Sequence, residues 1–197
     1  MKLNTPNKLT IARMIIAPLF LAVLLWDSLP HRFLLSMIIF IAASVTDAID
    51  GKMARKNNQV TNFGKLLDPI ADKVLTTAAL LAFMKLGLCN IWIVMIVLTR
   101  EFAIASIRMI AASNGVVIPA NIWGKLKTVS QMVFTGFIMF LGEIYTYVPN
   151  IVPGVTVPWW LTLSNISNAL LWITAILTVI SGIIYIKDSK NAIDYSK

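Results

Sequence analysis

Charge in this chain is confined to short interruptions between apolar runs, and that pattern restricts the fold more than any other feature of the sequence. Stretches 14–26, 33–46, 86–99, 109–124, 128–142 and 144–186 contain no Asp, Glu, Lys or Arg. Of the 197 residues, 58% are hydrophobic and 13% charged, against about a quarter charged in soluble domains. A water-soluble fold cannot hide so much apolar side chain, and a disordered chain would be far more polar. At about 20 residues per spanning helix, the length suits six spans joined by short connections, with no room for a sizeable soluble domain. The expected architecture is an all-α integral membrane protein. It forms a single membrane-embedded domain over 1–197, with six transmembrane helices and a polar cleft facing the cytoplasm.

The boundaries follow from punctuation. Asn4-Thr5-Pro6-Asn7 supplies a capping residue and an early proline, so the first helix starts there and continues to about Trp26. No small-residue cleavage site follows it, which predicts a retained helix rather than a cleaved leader. Asp27-Ser28-Leu29-Pro30 forms the first turn. Helix two is then predicted over 32–50, a polar connection over 51–63, helix three over 64–87 and helix four over 91–113, with Gly87 and Asn90 in the turn between the last two. A loop through Ser113-Asn114-Gly115 to Gly124 precedes helix five at 125–147. The cluster Pro149, Pro153, Gly154 and Pro158 divides it from helix six at 159–186.

Orientation comes from the cations. Of the 17 Lys and Arg residues, 13 fall in alternate polar segments: Lys2, Lys8, Arg13; Lys52, Arg55, Lys56, Lys65; Arg108, Lys125, Lys127; Lys187, Lys190, Lys197. Arg32 and Lys85 lie toward the other side. The positive-inside rule predicts a multi-pass protein of the cytoplasmic membrane with both termini in the cytoplasm. Trp26, Trp92, Trp159 and Trp160 fall at the predicted outer ends, where indoles favour the headgroup zone. The net charge of +8 suits anionic substrates and membrane orientation; no basic soluble helix or stacking platform accompanies it, so nucleic acid is not an expected partner. Cys89 is the single cysteine and His31 the single histidine, which excludes an internal disulfide and leaves triads and histidine-based zinc sites nothing to build on. His31, beside Pro30, reads as an interfacial turn residue.

The acids are concentrated. Asp47, Asp50, Asp68 and Asp72 account for four of the nine. Spacings of three and four place each pair on one helix face, at the cytoplasmic ends of adjacent antiparallel helices. Carboxylates within a span cost at least ~2.5 kcal/mol each and repel one another, so cations must offset them. Arg55 and Lys73 supply part of that charge, and helix-end salt bridges are one outcome. All-oxygen ligands suit hard dications, and two Mg²⁺ or Mn²⁺ sharing the carboxylates would be another. Gly51 and Ala54 allow a ligand to approach the backbone, or two helices to pack closely. Arg55 offers a fork for phosphate, and Thr61 stands where it can cap helix three near Gly64, whose free N–H groups favour an anion.

Asp47-x-x-Asp50-Gly51-x-x-Ala54-Arg55, eight residues to Gly64, then Asp68 and Asp72 at four-residue steps, resembles the complete signature of the CDP-alcohol phosphotransferase family, with every position filled over 26 residues. The resemblance implies a six-helix homodimer with a two-metal site. Carried over by position, Asp47, Asp50 and Asp68 ligate metal, and Asp72 ligates metal and acts as general base. Gly51, Ala54, Arg55, Thr61 and Gly64 hold the CDP moiety. Asn7 and Thr10, within Pro6-Asn7-Lys8-Leu9-Thr10-Ile11-Ala12-Arg13, resemble the family's amino-terminal CDP-contacting segment.

A second polar group lies downstream. Arg100 either pairs with Glu101 or another acid, or meets a ligand; Arg108, Lys125 and Lys127 have no acids beside them, and a bound phosphate or lipid headgroups would satisfy them. Thr99-Arg100-Glu101, Arg108, Gly124-Lys125-x-Lys127-Thr128 and Gln131 together resemble the branch of the family that makes phosphatidylglycerophosphate. That implies transfer of the phosphatidyl group from CDP-diacylglycerol to sn-glycerol 3-phosphate, with Arg108, Lys125 and Lys127 on the acceptor phosphate. The same chemistry on phosphatidylglycerol, inositol phosphate or serine, and a cation transporter built on the membrane carboxylates, are the competing readings.

Overall fold

Apolar runs that enter a bilayer must satisfy their backbone groups internally, and helices do so within a single segment. A computed structural model describes the backbone of residues 5–56, 62–113, 121–151 and 157–190, and the side chains of 10–46, 70–71, 73–112, 121–148 and 157–189. Among the described residues every regular element is helical: α1 (Thr5–Leu25), α2 (Arg32–Lys56), α3 (Asn62–Lys85), α4 (Ile91–Ser113), α5 (Ile122–Ile151) and α6 (Leu163–Lys190), with a 3₁₀ turn at Trp159–Leu161 before α6. Two helical stretches, Ile122–Val148 and Leu163–Ser189, are long and apolar enough to cross a membrane; the apolar stretches Thr10–Leu25 and Arg32–Thr46 are shorter.

The principal helix pairings close into a cycle. α1 packs on α2 and α3, α3 on α4, α4 on α6, α6 on α5, and α5 on α2, while α3 also touches α5. Phe20, Leu24, Phe40, Leu80, Phe83, Ile93, Ile138, Met139 and Leu171 are fully buried between them. The outward surface is also apolar, with Ile15, Ile38, Phe102, Met109, Val129, Val133, Ile176 and Ile183 all exposed. In water so continuous an apolar exterior would drive association; in hydrocarbon it carries no penalty.

One predicted connection is partly helix. The sequence suggested a polar link over 51–63, but α2 continues to Lys56 and α3 begins at Asn62. Asp47, Asp50, Gly51 and Ala54 recur at three- and four-residue steps, so a continued helix keeps them on one face. The continuation also retains backbone hydrogen bonds whose loss would exceed the ~1 kcal/mol that a helical glycine costs. Similarly, α5 starts at Ile122, because Asn121 caps it by accepting the Gly124 N–H at 2.7 Å. Asn90 caps α4 through the Trp92 N–H at 3.0 Å, and Gly87 takes the positive φ of 73° that the preceding turn requires.

The 26–31 turn is fastened to α5. His31, at φ 56°, donates its backbone N–H to Tyr147 Oη at 2.9 Å and stacks on the Tyr147 ring at 4.4 Å. Its Nδ1 lies 2.5 Å from Glu143 Oε1, whose other oxygen accepts the Leu34 N–H, and Asp27 pairs with Arg32. Next to this latch α5 comes so near α2 that a Cβ on Gly142 would meet the Phe33 ring at 2.6 Å. Trp26, Trp92, Trp159 and Trp160 are all exposed, beside the turns at this end of the bundle.

Candidate active site

α2 and α3 are consecutive helices that both pack on α1, so the acidic motif can be placed along each by counting helical rise from the ends that flank residues 57–61. Asp50 and Asp68 each stand six residues from the helix end next to that connection, which is ~9 Å of rise. Asp47 is nine residues from its helix end and Asp72 ten, or ~14 and ~15 Å of rise. The four positions thus stand at two similar distances along their own helices from the ends that flank residues 57–61; their side chains lie outside the described residues. Gly51, Ala54 and Arg55 stand on the last turns of α2 and Gly64 on the first turn of α3, while Thr61 lies outside the described residues. Asn7 and Thr10 are both on α1, which packs against α2 and α3, and Thr10 is buried.

The basic group divides in two. One part is an ion cluster around Glu101. Its Oε1 accepts from Lys127 Nζ at 2.5 Å and from Arg100 Nη1 at 3.0 Å; Lys73 Nζ stands 3.5 Å from Oε2 and donates to the Glu101 carbonyl at 2.9 Å. Three helices meet there: α3 through the residue following Asp72, α4, and α5. Lys127, predicted on an acceptor phosphate, is only 4% exposed and committed to Glu101. A carboxylate this poorly hydrated holds its place only with such partners, and among the described residues three cations meet this one carboxylate.

The other part faces outward. Arg108 and Lys125 are exposed on α4 and α5. Arg108 Nε donates to Tyr185 Oη on α6 at 3.3 Å, and its Cζ sits 5.4 Å from the Tyr185 ring centroid. Gly182, one turn earlier on α6, leaves room for Arg100, whose Cγ would lie 3.2 Å from a Cβ there. Sequence reasoning left Arg100 between a pairing with Glu101 or another acid and a ligand, and the structure shows the pairing with Glu101. That reasoning missed Lys73 and Lys127 as the other partners, which stand 28 and 26 residues away, and Tyr185, which carries no signal in an apolar helix.

Together the elements supply two carboxylate-bearing helices that both pack on α1, a segment with small residues for close approach, and a cationic region on α3, α4 and α5. Residues 3–180 match the family model for CDP-alcohol phosphatidyltransferase. The chain is 35% identical, over 98% of its own length and 98% of the relative's, to the CDP-diacylglycerol–glycerol-3-phosphate 3-phosphatidyltransferase of Bacillus subtilis (strain 168). It is 36% identical to the protein of the same name from Rickettsia bellii, over 95% of this chain and 96% of the other. The Haemophilus influenzae protein of that name is 35% identical, covering 98% and 97%.

Proposed function

The chain belongs to the CDP-alcohol phosphatidyltransferase family, and from that premise we propose that it transfers the phosphatidyl group of CDP-diacylglycerol to sn-glycerol 3-phosphate, yielding phosphatidylglycerophosphate and CMP. The observation that carries this reading is the near full-length similarity to relatives named for that reaction in three bacterial genera. The exposed cations Arg108 and Lys125, beside the positive cluster around Glu101, suit an acceptor that is itself an anion.

The residues divide the work as follows. Gly51, Ala54, Arg55, Thr61 and Gly64, with Asn7 and Thr10 from α1, seat the CDP moiety, and the diacyl tails stay in the inner leaflet. Asp47, Asp50, Asp68 and Asp72 have the donor chemistry of a site for two hard divalent cations, Mg²⁺ or Mn²⁺, and they stand at similar distances from the facing ends of two consecutive helices in the sequence. Such ions, when bound, supply electrostatic stabilisation of the pyrophosphate charge. Asp72 takes the proton from the acceptor hydroxyl. That oxygen forms a bond to the β-phosphorus as the bond from phosphorus to the bridging oxygen breaks, and CMP departs with the electron pair. Arg108 and Lys125 hold the acceptor phosphate, and Lys127 adds positive potential from behind Glu101. The protein is read as six spans in the cytoplasmic membrane, working as a homodimer with this cleft toward the cytoplasm, where the soluble acceptor enters.

The test is CMP release by the purified protein with CDP-diacylglycerol and each alcohol in turn. The expected result is metal-dependent release with sn-glycerol 3-phosphate at least about tenfold faster than with inositol phosphate, serine or phosphatidylglycerol, a margin of ~1.4 kcal/mol in the barrier. Preference for another acceptor overturns the assignment.

A further inference from the structure

Tyr185 is a tyrosine in an otherwise apolar stretch of α6, 2% exposed, so its hydroxyl lies where water does not reach it freely. A buried phenol needs a partner. Its partner among the described residues is not on α6 but across the helix packing: Arg108 Nε, at 3.3 Å. The same guanidinium lies over the ring, with Cζ 5.4 Å from the centroid, within the range of a cation–π contact. Two contacts of different geometry therefore constrain one exposed arginine. The hydrogen bond fixes one edge of the guanidinium plane and the ring restricts its tilt.

The chemistry of the guanidinium decides what remains. Its five N–H groups are arranged in a rigid plane; with Nε–H engaged by Tyr185, the edge formed by Nη1 and Nη2 stays available as a fork for two oxygens of one phosphate. A free arginine side chain would lose much rotamer freedom on binding; here part of that loss is met before the ligand arrives. We propose that Tyr185 is a positioning residue that presents the Arg108 fork to the phosphate of the acceptor, and so contributes to selecting a phosphorylated alcohol. This rests on the reading above that Arg108 meets the acceptor phosphate.

The experiment uses full-length protein and initial rates of CMP release, varying sn-glycerol 3-phosphate at saturating CDP-diacylglycerol and the reverse. Tyr185→Phe keeps the ring and removes the hydroxyl; it should raise the acceptor KM about three- to tenfold, leaving kcat and the CDP-diacylglycerol KM unchanged. Tyr185→Leu removes both contacts and should raise the acceptor KM about tenfold or more. Arg108→Gln should raise it about a hundredfold, and Tyr185→Phe added to that background should have no further effect. If Arg108→Gln raises the acceptor KM but both Tyr185 variants leave it unchanged, the positioning role is wrong and the acceptor-site reading stands. If Arg108→Gln leaves it unchanged, the acceptor-site reading itself is wrong, and the positioning role with it. A rise in the CDP-diacylglycerol KM instead assigns the fork to the lipid phosphate. A Tyr185→Phe effect that persists without Arg108 reduces the tyrosine to a packing role. Each of these last two outcomes overturns the proposal.

Discussion

Two polar clusters cross the helix packing of this protein, and they differ in how their charges close. At the end of the bundle beside Trp26 and Trp92, Asp27 meets Arg32 and Glu143 meets His31, with Tyr147 stacked against the imidazole. Each of these two acids has one basic side chain as its partner, and the arrangement fastens a turn to α5. Across α3, α4 and α5, Glu101 is the one acid among the described residues that meets Arg100, Lys127 and Lys73, while Arg108 and Lys125 are exposed on α4 and α5. A matched cluster is complete as it stands. A cluster with surplus cations is suited to a further anion, and that separates a structural fastening from a binding region.

The contrast can be broken in order of expected effect. Asp72→Asn removes the proposed base next to Lys73 and should lower turnover by at least about 10²-fold with the protein still folded. A rate within tenfold of the parent takes Asp72 out of the chemistry. Glu101→Gln leaves three cations without their carboxylate, and an unfolding measurement in detergent should register a loss of about 3 kcal/mol. Glu143→Gln removes a carboxylate with one basic partner and keeps an oxygen able to accept the Leu34 N–H, so it should register a smaller loss, about 1 kcal/mol, and leave turnover unchanged. Equal losses from the two would erase the distinction between the clusters.

Packing at the fastened end gives a further test. Gly142→Ala pushes a methyl into the Phe33 ring and should destabilise by about 1–3 kcal/mol, seen as a lower unfolding midpoint with unchanged KM for both substrates. The smallest effect is expected at Cys89. Burial pushes its thiol up to about 12, so it stays protonated, and therefore poorly nucleophilic, at every pH below that. Iodoacetamide at pH 8 should label it only after denaturation and leave CMP release intact; rapid labelling of the folded protein would show the turn to be open.

How much was legible in advance differs residue by residue. Gly87 and Asn90 were readable as turn residues because their conformational preferences are local, while the cap that Asn90 places on α4 came from the structure. The extension of α2 past Asp50 was missed, since a glycine after an acid reads as a break although its spacing to Asp47 and Ala54 continues the helical face. His31 was readable as a turn residue, but not its partners Glu143 and Tyr147, more than 110 positions away. Lys127 was read as a ligand for phosphate because no acid adjoins it in sequence; the acid that adjoins it in space is on another helix.

The sequence by itself determined the helices and the periodic placement of Asp47, Asp50, Asp68 and Asp72, because apolar run length and three- and four-residue spacing act within one segment of chain. Only the tertiary structure decided which cations Glu101 retains and that Tyr185 holds Arg108. Those outcomes depend on which helices are neighbours in the closed cycle and at what depth they meet. Side-chain charge pairing falls off over a few ångströms and takes no account of separation along the chain.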